Sequence, residues 1–110
     1  MSTGAAGVLA WTGAMTTAVA GLTLLGAGLL AQSRAETAAD LASLAGADSL
    51  AAASGDPCAV AGEAAARNEA RLLSCEVQGW DVLVRVEVDA APLGAMGARS
   101  RAGPGPAELP

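Results

Sequence analysis

No charged side chain occurs in the first 33 residues, and the six basic and eleven acidic side chains all lie from Arg34 onward. An uncharged, largely apolar stretch of that length reads first as a membrane span. Within it, Val8 to Ala31 is built from Ala, Gly, Leu, Val, Thr, Met and Trp, with five leucines between Val19 and Leu30. As a helix it would reach about 36 Å, enough to cross a hydrocarbon layer of about 30 Å. The expected element is therefore a transmembrane helix over about 8–31. Two other readings stay open. Gly26-Ala27-Gly28 has the form of a signal-peptide cleavage site, although no positive segment precedes it and the apolar run is longer than usual. The segment can also be a helix buried in a core.

Gly13, Thr17 and Gly21 recur every four residues, as do Ala6, Ala10, Ala14 and Ala18. Small residues in such rows let helices approach closely in lipid. Gly13, Thr17 and Gly21 are thus candidate helix-packing residues, although so much Ala and Gly produces small rows on every face.

No Pro interrupts Gln32 to Ala53, so the helix is expected to continue outside the membrane. Ala38, Leu41, Ala42, Ala45, Ser49 and Ala52 share one face, and Glu36, Asp40 and Ser43 the other. Ser54-Gly55-Asp56-Pro57 stops it, with Gly suited to the position after a helix. Asp56 and Pro57 then start a second, short helix as N-cap and first helical residue. Glu63 and Arg67 in that helix are spaced for an i, i+4 ion pair.

Val82, Val84, Val86 and Val88 alternate with Leu83, Arg85, Glu87 and Asp89, which marks a strand. A preceding alternation through Leu73, Cys75 and Val77 ends at Gly79-Trp80, a two-residue link suited to a type II′ turn. That turn pairs Gln78 with Asp81, Val77 with Val82, Cys75 with Val84 and Leu73 with Val86. Trp80 is either a candidate contact residue or a lid on the hairpin core. A third strand is expected at Ala98 to Ala102, with Arg99 and Arg101 facing Glu87 and Asp89.

Cys58 and Cys75 are the two cysteines. A disulfide between them would contribute about 3 kcal/mol in the chain-entropy model, which a small Ala-rich domain needs. Two free buried thiols are the alternative. The bond requires the second helix to end near Arg67-Asn68, because a straight helix to residue 72 holds the cysteines too far apart. Asn68 would be the left-handed cap. A disulfide places residues from 34 onward outside the cytoplasm, against the weak inward bias of Arg34.

The fold class expected is α+β: a long N-terminal transmembrane helix continuing outside the membrane, a short second helix, and a small antiparallel hairpin or three-stranded sheet. The segments are 1–33 with the span, 34–54 as its continuation, 55–103 as a disulfide-stapled region, and 104–110 as a disordered tail.

Several functions are disfavoured. The chain has no His, hence no imidazole base or imidazole metal ligand. Two cysteines alone cannot complete a structural zinc site. A net charge of −5 with no Lys gives no basic footprint for nucleic acid. Asp81, Glu87 and Asp89 read as a solvated strand face rather than an acid/base pair. No enzyme, cofactor, metal or small-molecule substrate is expected.

The order of elements carries a resemblance. The uncharged segment running into RAETAADLASLAGA, then GDPCAVAGEAAARNEARLLSCEVQGWDVLVRVEV, then ARSRAGP, resembles the actinobacterial TadE-like pseudopilins of tight-adherence (Flp) pilus and secretion loci. The resemblance covers about residues 4–104. It implies a single-pass membrane subunit whose N-terminal helix packs with other pilus or secretion-assembly subunits, with the remainder at the cell surface or in the cell wall space. Flp-type prepilins carry Glu five residues after the processing Gly; counted from Gly4, this chain has Leu9 there. The competing expectation is a membrane-anchored or secreted binding module unrelated to pili.

Overall fold

The computed structural model describes residues 3–104, with side chains from residue 16 onward except Thr17. Helix α1 runs Thr3–Ala51, α2 Pro57–Arg67, and strands β1, β2 and β3 run Arg71–Gln78, Asp81–Asp89 and Ala95–Ala102. The fold is α+β: a long helix, a short helix and one antiparallel sheet of order β1-β2-β3. Both helices cover one sheet face, and the other is open to solvent. The molecule is elongated, 79 × 32 × 16 Å, because the 49-residue α1 extends well past the sheet.

The helix half that carries the sheet buries Ala31, Ala35, Ala38, Ala39, Ala42, Ser43 and Ser49. Leu41 and Leu44 are exposed instead. The expected face is thus corrected: Leu41 lies outside and Ser43 inside. The reason is proximity. The buried stripe consists of residues small enough for the inward valines of β2, Val82, Val84, Val86 and Val88, to reach the helix. A leucine in that row would hold the layers apart. Ser43 is buried without loss because its hydroxyl lies 3.0 Å from the Asp40 carbonyl and 3.2 Å from Ser100 Oγ. Ser100 in turn donates to Asp40 Oδ1 at 2.8 Å.

The closest approach is at Gly46. A Cβ there would stand 3.0 Å from the Pro57 carbonyl oxygen and 3.0 Å from Val82 Cγ1. Gly inside a helix costs about 1 kcal/mol relative to Ala, and here it lets α1, α2 and β2 meet.

Both helices end in the same hydrogen-bond pattern, and neither uses the residue expected. At the end of α1, Ser54 N–H donates to the Ser49 carbonyl and Ala53 N–H to that of Leu50. Ala53 takes the left-handed conformation (φ 49°), with Gly55 (φ 87°) two residues later. At the end of α2, Ala70 N–H donates to the Ala65 carbonyl and Glu69 N–H to that of Ala66. Glu69 is left-handed (φ 59°), while Asn68 caps with φ −104°. These are Schellman ends occupied by side-chain-bearing residues. The start of α2 is as expected: Asp56 accepts from Cys58 N–H at 3.0 Å, with Pro57 first in the helix. Glu63 and Arg67 do not form the expected ion pair, which is absent among the described residues.

The hairpin register holds from Gln78↔Asp81 through Val77↔Val82 to Cys75↔Val84. It then slips at a bulge between Leu72 and Ser74, so Leu72, not Leu73, pairs with Val86. The bulge turns Leu72 inward, where its Cδ2 reaches 3.6 Å from a Cβ placed on Gly62, and leaves Leu73 exposed. Gly79 takes the positive φ (63°) of the first turn position, as a type II′ turn requires. β3 starts three residues earlier than expected, and Ala98, Ser100 and Ala102 do face the helices. Arg99 and Arg101 do not meet Glu87 and Asp89. Arg99 lies opposite Arg85, and Arg101 binds Asp81, while Glu87 pairs with Arg71 at 2.6 Å.

The expected membrane span needs a correction of extent. Among the described residues, no helix is long and apolar enough to cross a membrane. The uninterrupted apolar run with described side chains, Ala18 to Ala31, covers about 21 Å at about 1.5 Å per residue, before Gln32 and Arg34 end it. The side chains of Val8 to Met15 and Thr17, which the expectation included, lie outside the described residues. So does the expected tail beyond Pro104.

Two substitutions separate these forces. Ala53→Gly should raise stability by about 0.5–1 kcal/mol, since Gly adopts the left-handed conformation without a Cβ penalty. Gly46→Leu should lower it by about 1–3 kcal/mol by overpacking. Denaturant melting of both against wild type reads the two signs.

Candidate functional site

The chemistry available is narrow. Cys58 and Cys75 form a disulfide with Cα atoms 5.7 Å apart. It joins the first turn of α2 to β1, and α2 ends at Arg67 as the closure requires. The bond thus spends both thiols on holding β1, the edge strand farther from α1, against α2. Among the described residues, no group of three or more His, Cys, Asp or Glu is placed to hold a metal ion.

What the fold presents instead is surface, of three kinds. The first is the bare part of α1. Val19, Leu22, Leu24, Leu25, Leu29 and Leu30 are exposed, as is every residue from Ala18 to Ala27. Gly21, a candidate packing residue, has open space around the position of a Cβ. The side chain of Thr17 and the surroundings of Gly13 lie outside the described residues. Contact with the sheet begins at Gly28, where a Cβ would stand 3.1 Å from Leu93 Cδ1 and 3.8 Å from Met96 Cε. One turn further, Gln32 Nε2 donates to the Gly97 carbonyl at 3.3 Å.

The second is the outer sheet face, which collects Arg71, Arg85, Arg99 and Arg101. Glu87 hydrogen-bonds Arg71 and raises its pKa above the ordinary arginine value, chiefly through that bond and then through its charge. Arg101 binds Asp81. Arg85 and Arg99 stand directly opposite each other without an ion-pair partner among the described residues. Like charges so placed disfavour the strand pair. They line an open hollow with Ser74, Glu76 and Leu83.

The third is Trp80, at the hairpin tip. It is 62% exposed and so does not act as a lid; the core beneath the hairpin is closed by Leu72, Cys75 and the helices. Sequence reasoning singled out Trp80 and Gly21, but missed the opposed arginines and the approach of Leu93 to Gly28. The first needed the exact β2–β3 register. The second needed the path of a loop that no periodicity reports.

No protein-family model, no curated protein and no solved structure matches this chain.

The disulfide can be tested directly. Cys58→Ser or Cys75→Ser should cost about 2–5 kcal/mol and reduce protein abundance. Thiol alkylation of the unreduced protein should find no reactive cysteine, and two alkylated thiols would show the bond is not formed.

Proposed function

We propose that this chain is a minor pilin- or pseudopilin-like structural subunit, held in the cell membrane by the N-terminal half of α1, with its disulfide-bonded part outside the cytoplasm. One observation carries the proposal: a single continuous helix is clothed by a small domain along its C-terminal half, while its described stretch before that, Ala18 to Leu30, is uncharged and studded with exposed leucines. Water is a poor solvent for such a surface, since each leucine moved out of it gains about 1.5–3 kcal/mol. A bilayer covers it before assembly, and neighbouring helices cover it afterwards. The sequence resemblance to TadE-like pseudopilins supports the same arrangement.

A second feature favours assembly over simple anchoring. Leu41 and Leu44 lie on the clothed half of α1, on the side away from the sheet, and are also exposed. A bilayer reached through residues before Arg34 does not cover them, whereas a packed neighbour does. Function then lies in subunit packing, and no catalytic step is assigned.

Two outcomes follow. Alkaline phosphatase fused after Pro110 should be active, because the disulfide calls for an oxidising compartment. An inactive fusion with an active cytoplasmic reporter would overturn the topology. Gly13→Leu and Gly21→Leu should preserve membrane insertion but reduce recovery with the assembly, since bulk at a packing row keeps helix backbones apart. Unchanged recovery would leave the helix an anchor only and favour a membrane-held binding module, with Trp80 as its contact.

A further inference from the structure

We infer that the β2–β3 loop, residues 90–94, is a second lipid contact that dips into the bilayer interface beside α1. The inference rests on the membrane-held reading of α1 given above and adds a second point of attachment to it. Two independent observations meet here.

The first is position. Leu93 and Met96 lie against α1 at Gly28, which precedes the first charged residue, Arg34, by about 9 Å along the helix. With Arg34 among the lipid headgroups, the loop reaches below them to the depth of about 5–10 Å at which interfacial elements sit. The antiparallel sheet fixes this end. The β1–β2 turn, with Trp80, is at the opposite end of β2, roughly 30 Å away for a strand of this length.

The second is composition. Ala90 to Ala98 reads AAPLGAMGA, without a charge. The connections after the two helices carry polar or charged residues, Ser54 and Asp56 after α1 and Asn68 and Glu69 after α2, while the hairpin turn is only the two residues Gly79-Trp80. Leu93 is 44% exposed at the tip, and the helix beside it also exposes Leu24, Leu25 and Leu29. The nearest charges, Asp89 and Arg99, stand on the outer sheet face, away from α1. Ala90 and Met96 also serve the domain's own packing, but the exposed tip at Leu93 gains from leaving water, and a loop dipping below the headgroups is favoured by the absence of charge, because a charge costs more toward the bilayer centre. Two attachments instead of one fix the tilt and rotation of the domain above the membrane, which a subunit awaiting assembly needs if its packing faces are to be presented in one orientation.

The test uses the full chain in phosphatidylcholine vesicles whose acyl chains carry bromine near the headgroup, and reads tryptophan emission. Trp80→Phe leaves Trp11 in the helix as the only indole, Trp11→Phe leaves Trp80, and Leu93→Trp in the doubly substituted chain reports the loop. Quenching of Trp11 and of the indole introduced by Leu93→Trp, with a blue shift for the latter and no quenching of Trp80, is the expected result. Quenching of Trp11 with none from the loop would overturn the inference and leave the membrane-held helix standing. No quenching at either position would overturn both. Ala95→Trp, at an exposed position on the β3 side of the same loop, carries the test should Leu93→Trp fail to fold.

Discussion

The fold depends on how closely α1 can approach the sheet. A helix that buries alanine, glycine and serine brings its backbone close to the valines of β2, and at Gly46 a Cβ would stand only 3.0 Å from Val82 Cγ1 and from the Pro57 carbonyl oxygen. Such an interface gains from dispersion at many atoms but little from side-chain burial, because each alanine hides little area. The four inward valines of β2 are the largest apolar side chains that are fully or almost fully buried, and each contributes roughly 1.5–3 kcal/mol. That is a thin core for a domain of this size. The disulfide between α2 and β1 stands on the side of the sheet that α1 covers least, and it supplies by chain constraint what that flank lacks in packing.

The same constraint divides α1 by residue size. The sheet takes mainly small side chains from the helix, so most of the described leucines of α1 lie where the domain does not reach: Leu22, Leu24, Leu25, Leu29 and Leu30 on the bare stretch, and Leu41 and Leu44 on the outer side, while Leu50 packs partly against the core. In the proposed reading this is a division of labour along one rod. Small residues hold the subunit's own domain, and large ones meet lipid and neighbours. The β2–β3 loop falls at the seam between the two halves, which is why its composition matters more than its length.

Much of this was legible in the sequence. The Pro-free continuation, the Asp56-Pro57 start, the Gly79-Trp80 turn and the valine alternation each report a local preference, and the structure follows them. The disulfide restraint also set the end of α2 at Arg67. What the residues hid was decided by tertiary packing. The face of α1 was misread at Leu41 and Ser43 because hydrophobicity ranks leucine above serine, whereas the sheet selects for volume and offers Ser43 hydrogen bonds to Asp40 and Ser100. Leu73 yielded to Leu72 because a bulge, invisible to a period-2 count, shifts the register. Ala53 and Glu69 carry left-handed conformations that composition assigns to Gly55 and Asn68, since the Schellman bonds fix where the turn falls. The opposed Arg85 and Arg99 required the partner register of a strand whose start was read three residues late.

The central claim is that α1 is one helix serving two environments. Amide hydrogen exchange of the full chain in phospholipid vesicles, before and after reduction of the disulfide, tests it most directly. The account predicts that residues 35–50 lose protection together with β2 when reduction destabilises the domain, while residues 12–27 stay protected because lipid, not the domain, covers them. Loss of protection along the whole helix at once would contradict it, since α1 would then be a single cooperative unit with the domain and the bilayer would play no part in holding its bare half.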